Sequence, residues 1–137
     1  MQKYKYQLVL LLLFFIGTSC GSVSPSENEI AFALLEGNWS LGSNGVIELD
    51  GSDVSLNFSD FSLSFADGTY ETTNGGNLFN ANGTWDWSGE DGRTIILDTG
   101  EEVTINILNE STFRFSFFHE GNIRSGIRGN YIIQVGK

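Results

Sequence analysis

Three features of the sequence predict an all-β protein, an antiparallel up-and-down meander of roughly eight to ten short strands closed into a barrel. Apolar and polar residues alternate at period two over most of the chain after Asn38, the pattern of strands with one dry and one wet face. Glycine is abundant, 17 residues against a single proline, which suits tight turns between short strands. The stretch Gly83-Thr84-Trp85-Asp86-Trp87-Ser88-Gly89-Glu90-Asp91-Gly92-Arg93-Thr94-Ile95-Ile96-Leu97 shows the repeating unit whole. Trp85 and Trp87 share one face, a Gly-Glu-Asp-Gly turn follows, and Ile95 and Leu97 resume that face. A sheet with one apolar face hides it by closing on itself, and closure also removes both edges.

Taken from the start, Lys3 and Lys5 form a basic opening, and Leu8 to Ile16 is an uninterrupted apolar run too short to span a bilayer as a helix. The run ends in Ile16-Gly17-Thr18-Ser19-Cys20-Gly21, which resembles a bacterial lipoprotein lipobox. That resemblance implies a signal peptide over 1–19, removed to leave an acylated Cys20 that anchors the chain to a membrane. It also implies the bacterial cell envelope as the location, the outer membrane in the first place, on its periplasmic or surface face. The competing reading is a plain secretory signal followed by an incidental cysteine. Residues 20–26, rich in Ser and Gly, would be a flexible lipidated tether, and 27–137 a single barrel domain.

Ser26-Glu27-Asn28-Glu29 has the form of a capping box, so a short helix is predicted from there to Gly37, with Ile30, Ala33 and Leu34 as its apolar face. Strand residues then follow in order. Trp39 and Leu41 precede a Gly-Ser-Asn-Gly turn; Ile47 and Leu49, then Val54, Leu56 and Phe58, continue the dry face. Phe61, Leu63 and Phe65 alternate in a shifted phase, which requires a turn or bulge near Ser59-Asp60. Ala66-Asp67-Gly68 turns the chain to Tyr70 and Thr72, and Leu78 and Asn80 lead to Trp85 and Trp87. Val103, Ile105 and Ile107, then Phe113, Phe115 and Phe117, and finally Tyr131, Ile133 and Val135 complete the apolar set.

The formal net charge is −10, and loss of Lys3 and Lys5 with a signal peptide makes the remainder more acidic still. Such a surface repels phosphate backbones and anionic headgroups, so no nucleic acid is expected as a partner. One cysteine excludes an intramolecular disulfide and a thiolate cluster, and one histidine, His119, is too few for an ordinary zinc or copper site. No metal and no cofactor is expected.

Leu35-Glu36-Gly37-Asn38-Trp39-Ser40-Leu41 carries a Gly-x-Trp motif on the first strand. Together with Ala66-Asp67-Gly68-Thr69-Tyr70 and Gly83-Thr84-Trp85, it resembles the short lipocalin-like lipoproteins of the Bacteroidetes, within the calycin superfamily. The resemblance implies a lipocalin-like barrel with Gly37 and Trp39 at its closed end. It also implies an arginine near the last strand over the indole, and Arg128 is the matching candidate. The chain departs from the family in having no Thr-Asp-Tyr motif and no long loop after its first strand.

The inward set Phe58, Phe65, Tyr70, Trp85, Trp87, Ile105, Phe113, Phe115 and Tyr131 has two readings. It lines a cavity for one small hydrophobic molecule, or it fills the barrel by itself. The first makes the protein a carrier, the second an interaction or structural module for an envelope protein or glycan. His119 with Glu120 is either an acid–base pair or a solvated strand end. Asp50-Gly51-Ser52-Asp53 and Glu90-Asp91-Gly92 lack calcium-loop spacing and read better as turns. Sequons begin at Asn38, Asn57, Asn82 and Asn109, and carry no weight in a bacterial chain. No clustered catalytic set is discernible, so an enzyme is not expected.

Overall fold

The computed structural model describes residues 20–121 and 128–137; the proposed signal peptide lies outside the described residues. A capping box starts helix α1 (Glu27–Leu35), as its sequence predicts: the Ser26 hydroxyl accepts from the Glu29 N–H and the Glu29 carboxylate from the Ser26 N–H. Ten strands follow: β1 (Gly37–Ser40), β2 (Val46–Leu49), β3 (Ser52–Asp53), β4 (Ser62–Ala66), β5 (Thr69–Thr73), β6 (Asn82–Trp87), β7 (Thr94–Leu97), β8 (Glu102–Leu108), β9 (Thr112–His119) and β10 (Gly129–Gly136).

From β4 to β10 each strand pairs antiparallel with the next, and β1 joins β4 on one side and β10 on the other, closing an eight-stranded antiparallel barrel. The pairing of Ser40 with Gly136 makes the closure. Further along the same edge of β10, Ile47 pairs with Ile133 and Leu49 with Tyr131. β1 and β2 therefore lie end to end along β10, separated by the Leu41–Gly45 loop. The short β3 pairs only with β2, outside the closed ring.

Four details differ from the sequence reading. Val54, Leu56 and Phe58 do not form a strand; Ser55–Phe58 is a 3-10 turn, Leu56 points into solvent at 93% exposure, Phe58 turns inward and Val54 packs half-buried against the core. The cause is local: the Asp53 carboxylate accepts from the Ser55 N–H and hydroxyl while the Ser55 hydroxyl accepts from the Ile47 N–H, and together they curl the chain. The phase shift near Ser59-Asp60 is present, with Asp60 at φ 59°. In β8, a bulge between Ile105 and Ile107 breaks the alternation, so Ile107 faces outward and Leu108 packs against the core. The helix buries Ala31 and Leu35 instead of the Ile30, Ala33 and Leu34 face: Ile30 and Ala33 are exposed and Leu34 is half-buried. Asn28 sets that rotation: its amide donates to Gly89 O and its carbonyl accepts from the Gly92 N–H, both at 2.8 Å. Finally, Asn74–Ala81 is a loop rather than a strand, and it carries Leu78 and Phe79 into the core.

Candidate functional site

The barrel interior is the first place to look, because the dry faces of all eight strands converge there. Phe65, Tyr70, Trp85, Ile105, Phe113, Phe115 and Tyr131 are buried in it as expected, and Phe58 closes one side from the 3-10 turn. Trp87 is not interior; it is half-buried and packs against the core from outside. The rings form one continuous stack. Phe113 and Phe115 lie 4.5 Å apart, Phe115 and Phe117 6.2 Å, and Phe117 and Tyr131 5.6 Å, all near parallel. Phe65 meets both Trp85 and Phe113 edge-on.

Phe79, which no strand pattern marks, completes this packing. Its ring sits 5.3 Å from Phe117, 5.8 Å from Phe61 and 6.4 Å from Phe115, and it is 7% exposed. The space left among Leu63, Phe65, Tyr70, Phe79, Ile95 and Phe115 is about 10 Å³. A single water needs roughly that much, and a small-molecule site needs several hundred. Of the two readings of this inward set, the packing matches the one in which the side chains fill the barrel with one another.

Both ends are sealed. At one, α1 lies across the opening with Leu35 and Trp39 fully buried beneath it, and the Trp39 indole donates to Leu35 O at 2.8 Å. The cation over that indole is Lys137, its ammonium 4.3 Å from the ring centroid and bonded to the carbonyls of Leu34 and Glu36. Arg128, the expected partner, lies instead over Phe118 at 5.4 Å and pairs with Glu120 in solvent. The reason is topological: β10 begins at Gly129, far along the strand from the helix, and ends at Gly136, beside it.

At the other end, polar side chains ring the Phe79 plug. The Tyr70 hydroxyl donates to Asp98 at 3.0 Å, and burial first, then this bond and the charges of Asp98 and Glu101, hold its pKa well above the usual tyrosine value. Tyr131 is raised as well, by burial and then by Asp50. Gly83 permits the Tyr70 position, since a Cβ there would stand 2.6 Å from the ring. His119 is bonded not to Glu120 but to Glu101, its neighbour at the β8–β9 end of the sheet. The oxygen-rich turns are occupied by backbone: Asp50 accepts from the Asn130 N–H, and Asp91 from the Arg93 N–H.

On the outside, α1, the Asp67-Gly68 hairpin tip and β6 enclose an open groove of about 350 Å³, walled by Phe32, Trp85 and Trp87 and edged by Glu29, Asp67 and Asp86. The Trp85 and Trp87 rings stand at 87° with centroids 5.2 Å apart, and Phe32 lies 6.0 Å from Trp85. Nothing in the period-two pattern separates Trp87 from the interior set; its half-exposure follows from the strand leaving the barrel end. Cys20 is exposed, and so are residues 21–26 between it and α1. None of the helices among the described residues is long and apolar enough to cross a membrane.

Comparison with known proteins brings no name to this arrangement: no protein-family model matches the chain, and no curated protein matches it.

Proposed function

We propose that this chain is a lipocalin-like, lipid-anchored module of a bacterial envelope that binds a protein partner at its surface and performs no catalysis. One observation carries the reading: the barrel is filled by its own aromatic side chains, with about 10 Å³ unoccupied. A carrier of a hydrophobic molecule would have to displace Phe79 and its neighbours from contacts that bury most of their area. The anchor reading rests on the lipobox-like Ile16–Gly21 stretch and on the exposure of Cys20. With several acyl chains on one residue, attachment is firm, since each buried methylene contributes about 0.8 kcal/mol. Six residues separate Cys20 from Glu27, which keeps the helix-capped end within about 25 Å of the bilayer.

The test uses the Cys20→Ser chain expressed in a diderm bacterium. It is expected in the soluble fraction, and native mass spectrometry without detergent is expected to give the bare polypeptide mass, with nothing released by organic extraction. Retention in membranes would refute the anchor. A reproducible apolar compound in the extract would move the function to a carrier.

A further inference from the structure

We propose that the groove between α1, the β4–β5 hairpin tip and β6 receives a basic side chain, lysine or arginine, presented by a protein partner. This deepens the surface-binding reading and rests on it. Trp87 is the half-buried ring whose face a cation can meet; Trp85, 7% exposed, stands against it at 87° as the floor of the groove, and Phe32 is a third wall. The Trp85 orientation is fixed in advance: its indole N–H is taken up by the hairpin backbone, Ala66 O at 2.9 Å and Thr69 O at 3.1 Å. What Trp85 offers a visitor is therefore carbon surface and π density. The helix wall is equally fixed, because Asn28 is bonded at both ends of its amide to the β6–β7 turn. Little order is gained on binding, so little affinity is lost to it.

Charge selects the occupant. The groove is edged by Glu29, Asp67 and Asp86, and among the described residues no Lys, Arg or His lines it. Glu29 is turned toward the Ser26 N–H at 2.7 Å and Asp86 Oδ1 accepts the Trp87 N–H at 2.8 Å, which leaves the exposed Asp67 carboxylate and the second oxygen of Asp86 to meet an incoming charge. Asn28 is the one amide lining the groove, and one of its two N–H groups is taken by Gly89 O, so the polar edge presented to an occupant is mostly carboxylate. The groove is open along one side, which suits an anchor side chain carried by a larger partner better than a free small molecule that must be enclosed. A net charge of −10 steers such a partner inward.

The test is an NMR titration of the full chain in detergent micelles with ¹⁵N-labelled indoles. The three tryptophans give three resonances, assigned by single Trp→Phe replacements. Tetralysine is expected to shift the Trp85 and Trp87 signals and leave that of buried Trp39 in place. Asp67→Asn with Asp86→Asn, and separately Trp87→Ala, should weaken binding about tenfold. The charge-matched control Asp60→Asn with Glu110→Gln should change it less than about twofold. Equal losses in the control pair would reduce the effect to diffuse charge and overturn the site. So would a neutral tetrasaccharide that shifts Trp87 where tetralysine does not, which would make this a glycan groove. Because the native mass of the Cys20→Ser chain is measured separately, an occupied barrel and an unresponsive groove are distinguishable failures.

Discussion

Replacing Phe79 by alanine tests whether the barrel is a packed solid. The ring is 7% exposed and touches Phe61, Phe115 and Phe117, so its removal deletes a central contact at the mouth of the barrel. Loss of the phenyl opens a void on the order of 100 Å³, which at about 24 cal/mol per Å³ costs roughly 2.4 kcal/mol, and the lost transfer of the ring carbons adds about 2 kcal/mol. Phe79 sits on a loop that can settle inward, which places the expected loss at about 3 to 4 kcal/mol. For a domain of this size each kcal/mol moves Tm by roughly 4 °C, so the variant should melt about 12 to 16 °C lower. The new void joins the 10 Å³ already present and is walled by apolar groups, so benzene or xenon should raise the variant's Tm and leave the parent's unchanged. Guanidinium unfolding followed by near-ultraviolet circular dichroism gives the free energy. A loss below about 1.5 kcal/mol with no response to benzene would mean that Phe79 covers solvent rather than core, and the filled-barrel reasoning would fall with it.

Two further outcomes are expected. Lys137→Met, which keeps the stem and removes the ammonium from Trp39 and from the carbonyls of Leu34 and Glu36, should cost about 1 to 2 kcal/mol in denaturant unfolding, while Arg128→Ala should cost less than about 0.5 kcal/mol. The reverse order would restore the arginine to the closed end. Tyr70 and Tyr131 both have pKa values raised above the ordinary 10.0, so the folded chain holds their protons longer than the unfolded one. Their contribution is fully present below pH 10 and is lost as pH rises beyond it, at up to about 1.4 kcal/mol per pH unit for each group. Tyr70→Phe should flatten that alkaline slope; phenolate absorbance appearing near pH 10 in the folded chain would contradict the burial of both hydroxyls.

Much of the fold is legible because alternation is a property of single strands. Phe61–Phe65, Phe113–Phe117 and Tyr131–Val135 each announce a dry face, and the capping box at Ser26 announces a helix from two side chains. Errors arise where a feature depends on what lies across the barrel. The Thr104-Ile105-Asn106-Ile107 pattern is unbroken in sequence, yet the offset between β8 and β9 inserts a bulge that turns Ile107 out. Phe79 stands among Gly75, Gly76, Asn77 and Asn80, a composition that reads as a loop, and only closure of the barrel brings it against Phe117. Lys137 reaches Trp39 for the same reason, through a chain terminus that no local signal links to a helix 100 residues earlier. The groove was half visible: Trp85 and Trp87 stand out, but that the second leaves the interior depends on where β6 ends.

The Asn28 clasp has a mechanical consequence. Any load delivered through the tether enters the domain at Ser26 and runs into α1, whose hold on the barrel at that end is two hydrogen bonds from one amide to Gly89 and Gly92. Those bonds lie at the point of entry, ahead of the strand ladder. Were the chain anchored at Cys20, a pull on residues 20–26 would meet these two bonds and the packing of Ala31 behind them before it met the strands of the closed ring.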